Sequence, residues 1–150
     1  MPLALPPRDR NGNVLPHDAK DIASGDGLIR RISERQIVTD RNGQRRISSI
    51  AFKPSTVGAY PGMSVDLEAQ ILEAGVNPRL FVTTPVWMGS VRMVVGEVRN
   101  ERLLVGSHPL MPENPYHGEV WGIETKVQQR KLQTLAIWYV EIPGVLVGPV

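Results

Sequence analysis

The sequence predicts an α+β fold: a mixed, bent β-sheet carrying two or three helices and preceded by an extended N-terminal arm. Three observations predict it. Short runs rich in Val, Ile and Leu recur along the chain between Gly, Pro and Asn-Gly turn signals. Between some of these runs, apolar residues recur at helical spacing. The first 27 residues show neither period and are dominated by Pro, Asn, Gly and Asp. At 150 residues, 41% hydrophobic and 21% charged, the chain is long enough to bury one core. Residues 1–27 are therefore read as an arm and 28–150 as a single α+β domain.

The elements follow in order. Leu28–Ile32 is a strand and Ile37–Thr39 a second, short one. Asp40-Arg41-Asn42-Gly43 is the clearest turn, with Asn-Gly at its centre. Arg45–Phe52 reads either as a strand or as one helical turn opened by Ser48 or Ser49. Met63-Ser64-Val65 is a short strand leading into a helix of about ten residues. In that helix Ser64 or Asp66 caps the start, Val65, Leu67, Ile71 and Leu72 form the apolar stripe, and Gly75 closes the end. Leu80–Thr84 and Val91–Val95 are β-rich runs, Gly96–Glu101 is a weaker helix, and Leu103–Val105 is another strand. Ser107–Pro115, with three prolines, is a loop. Tyr116–Ile123 is a strand with His117, Glu119 and Trp121 on one face. A last helix is expected from Lys126 to about Tyr139, with Val127, Leu132, Leu135 and Trp138 or Tyr139 on its apolar side. The tail from Ile142 is apolar and, with its prolines and glycines, cannot be helical. Val145, Leu146, Val147 and Val150 need cover, and exchange of the tail or arm between two copies predicts a homo-oligomer, a dimer first of all.

Composition removes whole classes of function. The chain has no cysteine, which excludes disulfide scaffolds, thiolate zinc sites, iron–sulfur clusters and thiol catalysis. It has three histidines, one of them His17 in the arm, so no metal site and no cofactor is expected. No apolar run is long enough to span a membrane, and the Pro-broken start is no signal peptide; a cytoplasmic protein is expected. There is no dinucleotide fingerprint, no phosphate loop and no nucleophile elbow.

Charge is more informative in kind than in amount. The net charge is +2, yet thirteen of the seventeen basic residues are Arg, and six (Arg30, Arg31, Arg35, Arg41, Arg45, Arg46) fall between positions 30 and 46. Arg grips carboxylates and phosphates with a planar fork. Arg45 and Arg46, followed by Ser48 and Ser49 and then by Asp66 at a helix start, make a candidate anion cradle, with Arg30 as a further binding residue. Alternatively the hydroxyls satisfy turn backbone and Ser64 and Asp66 only cap. The second constellation is His117-Gly118-Glu119. Two side chains on one strand face suit a general acid/base with an orienting carboxylate, and His108 lies nine residues earlier. Here the alternative is a histidine that organises the proline-rich turn. The aromatic supply is thin, which disfavours a stacking platform for single-stranded nucleic acid.

The ordered set Leu28-Ile-Arg-Arg-Ile32, Arg46-Ile-Ser-Ser-Ile-Ala-Phe52, Gly62-Met-Ser-Val-Asp66 and Pro112-Glu-Asn-Pro-Tyr-His117 resembles a family of small bacterial proteins of unknown function, over roughly residues 14 to 123. That resemblance implies a bacterial protein and carries no activity. The chain also has a likeness to ADP-ribosyltransferase-like folds, which would match Arg30 or Arg31, Ser48 or Ser49, and Glu119 or Glu97. Two function classes follow. The first is a cytoplasmic binding or accessory domain whose Arg- and Ser-lined surface takes an anion or a protein partner. The second is a small enzyme acting on a nucleotide or RNA phosphodiester, with His117 as acid/base, Glu119 as its orienter and Arg30 or Arg46 on the phosphate.

Overall fold

The computed structural model describes residues 3–148, and it has the α+β architecture the sequence predicts. The chain opens into β1 (Gly27–Ile32), then β2 (Ile37–Thr39) and β3 (Arg45–Ile47), joined by the Asp40–Gly43 turn. A 3-10 turn (Ser49–Phe52) leads to β4 (Met63–Leu67), α1 (Glu68–Glu73) and α2 (Pro78–Val82). β5 (Gly89–Val94), α3 (Val95–Arg99), β6 (Leu104–Ser107) and β7 (His117–Trp121) follow. α4 (Lys126–Leu135), β8 (Ile137–Val140) and β9 (Val145–Leu146) end the fold. No helix among the described residues is long and apolar enough to cross a membrane.

Six strands form an antiparallel sheet in the order β6-β7-β4-β1-β5-β8, and β2, β3 and β9 form a smaller mixed sheet in which β3 and β9 run parallel. Both faces of the large sheet are covered. Leu28 and Ile32 of β1 enter the main core with Phe52, Met63, Met93 and Leu132. Ile29 points the other way, towards Ile71 and Val82 of α1 and α2, as the two-residue period of a strand requires.

Three local expectations are corrected. The helix expected from Ser64 starts only at Glu68, because Met63–Leu67 is hydrogen-bonded between β1 and β7; Leu67 is its N-cap without a side-chain bond, Leu72 is exposed, and Gly75 does close the segment with a positive φ of 77°. The run Leu80–Thr84 belongs to a helix instead of a strand. Asn77 accepts from the backbone N–H groups of Arg79 and Leu80, and Pro78 fills the first turn, so the start signal overrides β propensity. The last helix ends at Leu135, and Trp138 and Tyr139 lie on β8; Val127 is exposed. The Arg45–Phe52 alternative resolves into both forms, with Ser48 capping the 3-10 turn by accepting from Ile50 N–H.

The arm and the tail are partly covered within the chain, while Leu5 and Leu146 stay exposed. Val14 and Ile22 of the arm are buried. Arg99 clamps the arm through Asp18 (3.0 Å) and the carbonyls of Ile22 (2.8 Å) and Ala19 (2.7 Å). Val145 of the tail is buried, and the buried Gln133 amide donates to the carbonyls of Ile47 (2.8 Å) and Val147 (3.0 Å), tying β3 to the tail. Val150 lies outside the described residues.

Candidate functional site: a cavity at the end of β1

Strand register builds the site. Asp66 on β4 pairs with Ile29 of β1 on one side and with His117 of β7 on the other. The next residues of β1, Arg30 and Arg31, come alongside, and the loop before β7 brings Leu110 and Asn114 over the top. These residues, with Ser64, Val65 and Trp87, line a cavity of about 320 Å³, at the small end of the range for small-molecule sites.

Asp66 is buried and fully engaged. It accepts from Arg31 Nε (2.8 Å) and Nη2 (3.2 Å) in a fork and from Asn114 Nδ2 (2.8 Å). Phe81 of α2 lies under the Arg31 guanidinium, 5.4 Å from its centre, and meets Tyr116 edge-on. The charge of Arg31 is therefore answered inside the protein.

Arg30 is different. Its Nε donates to the carbonyl of Ala51 (2.8 Å) and its Nη1 to that of Ser64 (2.9 Å), and among the described residues no carboxylate forms an ion pair with it. The residue reaches the cavity surface, but burial of its charged head pushes its pKa down to about 10, with the charge of Asp66 partly offsetting this. It stays a cation at neutral pH, fixed by two carbonyls and lacking a counter-charge of its own.

His117 is buried, and burial holds its pKa below the ordinary 6.5, against the opposing pull of the His108 carbonyl and the nearby carboxylates. Its Nδ1 lies 2.7 Å from the carbonyl oxygen of His108. A carbonyl only accepts, so Nδ1 carries the proton and Nε2 of the neutral ring keeps its lone pair.

No family model, curated protein or solved structure matches the chain. Geometry divides the residues expected from sequence among three places. Arg30, Asp66 and His117 meet at the cavity just described. Arg46, Ser48 and Ser49 line a separate cavity beside α4, while Arg45 is held on the surface by Glu34. Glu119 opens onto a third cavity with Tyr60 and His108.

Two pairings expected from sequence are corrected by this division. Glu119 does not orient His117: its carboxylate is bonded to His108 Nδ1 at 2.6 Å, two residues further along the strand, roughly 6–7 Å from the His117 position. Asp66 is no helix cap, because β4 runs through it. Arg30, Ser48 and Glu119 or Glu97 likewise do not converge as the ADP-ribosyltransferase-like pattern would require; Glu97 is on α3. Among the described residues no three His, Asp or Glu side chains form a metal-binding group. Sequence reasoning missed Trp87 and Asn114 as site residues. For Asn114 a signal existed: in Pro112-Glu-Asn-Pro-Tyr-His117 its side chain also accepts from Tyr116 N–H (3.1 Å), as turn asparagines do.

Proposed function

We propose that the chain is a binding domain for a small organic anion, seated in the cavity between Arg30 and His117. The observation that carries this is Arg30, a desolvated cation facing a cavity with only neutral carbonyls as partners. A carboxylate or phosphate group would supply the missing charge through a charge-assisted hydrogen bond. The bare Nε2 of His117 adds an acceptor for a hydroxyl or amine on the ligand. Trp87, Val65 and Leu110 offer an apolar wall for its body. A bacterial, cytoplasmic setting belongs to the same proposal.

Binding is favoured over catalysis because the carboxylate that would tune His117 is committed to His108. The second reading is a phosphodiester-directed enzyme, and the neutral His117 favours it: an imidazole with a free Nε2 beside a fixed cation has the parts of a general base and an anion holder.

Thermal-shift and calorimetric titrations with small hydroxy- and amino-carboxylates test the binding reading, and a phosphodiester hydrolysis assay tests the enzyme. The expected result is saturable binding that is lost in Arg30→Gln and weakened in Trp87→Ala, with no turnover. Failure of every anion to bind the folded protein, or binding indifferent to Arg30→Gln, overturns the assignment. Cleavage of bis(p-nitrophenyl) phosphate abolished by His117→Asn would select the enzyme.

A further inference from the structure

The half of the sequence-level cradle that the first cavity leaves aside has its own setting. Arg46, Ser48 and Ser49 face Lys126, Arg130 and Gln133 of α4 across a cavity of about 530 Å³. Lys126 and Arg130 are four residues apart, so they share one side of the helix. Among the described residues neither forms an ion pair, and none that lines the opening is acidic.

Arg46 is the fixed member. Its Nε donates to Asp40 (2.7 Å) and its Nη1 to the carbonyl of Gly148 (2.8 Å). Asp40 is held in turn by the backbone N–H groups of Asn42 and Gln44, both at 2.9 Å. Asp40 cancels the charge of Arg46, so among the described residues Lys126 and Arg130 are the two cations of the cavity without an ion-pair partner. Gln133 is locked by its bonds to Ile47 and Val147. Ser48 and Ser49 bring hydroxyls from the side opposite the helix.

We propose that this cavity is a second ligand site, independent of the first, and that it takes the phosphate of a small phosphate monoester. A monoester carries close to two negative charges at pH 7 and three strong acceptor oxygens, matching two free cations and hydroxyls that approach from two sides. A carboxylate or a sulfate monoester brings a single charge and leaves one cation unanswered. The phosphate fills only part of the opening, and Val38 and Ile47 border the remainder for an apolar body.

The test is a titration of the full chain with phenyl phosphate, followed by amide NMR and calorimetry, with phenyl sulfate as the monoanionic control. The expected shifts are saturable and centre on residues 48–52 and 126–133. Affinity should fall about tenfold or more for each charge removed in Lys126→Gln and Arg130→Gln. Both side chains are exposed, so thermal stability should hold, and Arg30→Gln should leave this binding intact. Phenyl sulfate should bind more weakly, and phenyl phosphate should weaken as the pH drops below about 6, where the second proton returns to the phosphate. The proposal fails if phenyl phosphate gives no saturable shift at these residues, if the double variant binds as well as the parent, or if sulfate and phosphate bind alike.

Discussion

Replacing Asp66 by Asn keeps the shape of the side chain and removes its charge. Asp66 is 3% exposed and accepts three hydrogen bonds, two of them from one guanidinium. An amide in its place presents an N–H₂ group either to Arg31 Nε or to both Arg31 Nη2 and Asn114 Nδ2, so a donor faces a donor and at least one bond to Arg31 is lost. Arg31 is then a cation with no counter-charge in contact. Removing one partner of a buried pair costs about 3–5 kcal/mol. The Arg31 side chain is 22% exposed, so water recovers part of that, and about 2–3 kcal/mol is expected. For a chain of this size that lowers the melting temperature by about 4–12 °C. Urea unfolding measures the loss, with an unchanged slope if only stability has moved. The same substitution in an Arg31→Met background should cost at least about 1 kcal/mol less, because no cation is then stranded. A loss below about 0.5 kcal/mol, or equal losses in both backgrounds, would show that the fork between β1 and β4 does not hold the site together.

Burial lowers the pKa of His117 in the folded state below its ordinary 6.5, so the unfolded chain takes up this proton first as pH falls; its contribution to stability is full above about 6.5 and declines below it, and urea midpoints at pH 7.5 and 5.5 should differ less in His117→Asn than in the parent. Gly106→Ala places a Cβ 2.6 Å from the His17 ring and 2.8 Å from the His17 carbonyl oxygen, which pushes the arm off β6; a loss of about 1–3 kcal/mol and faster proteolysis within residues 8–20 are expected. Gln133→Leu keeps the volume but strands the carbonyls of Ile47 and Val147, for about 1–3 kcal/mol, and hydrogen exchange at Val145 and Leu146 should quicken more than at β1.

Elements with strong local signals were legible in the sequence. The strands at 28–32 and 37–39, the strand within 116–123 and the Asn-Gly turn all rest on patterns a few residues long, and the weaker helix expected over 96–101 forms at 95–99. What was hidden depended on neighbours distant in the chain. Ser64–Leu67 carries a helix-start pattern, yet two flanking strands claim its backbone. Asp66 was visible as important and misread as a cap, because its true partners, Arg31 and Asn114, lie 35 and 48 residues away. His117 and Glu119 do share a strand, but their hydrogen bonds go to His108 by way of its carbonyl and its ring, a choice that spacing alone does not dictate. The Arg46–Ser49 segment lines a cavity whose other wall, on α4, comes into reach only through packing of the helix against the 3-10 turn.

β1 is the first strand of the chain, yet it lies inside the six-stranded sheet, third from the β8 edge and fourth from the β6 edge, with β4 and β5 as its neighbours. In that sheet only β6 and β7 are joined by a short connection; Leu28 must find Met93, and in the small sheet Arg45 must find Val145. Such pairings place the molecule among slow folders, since long loops have to close before their contacts give any return. The cavity between Arg30 and His117 spans this divide, one wall coming from the central strand and the other from the local hairpin. A ligand held there meets its site only when assembly is nearly finished. It should therefore lengthen the lifetime of the native state, by slowing unfolding, and leave the refolding rate as it was.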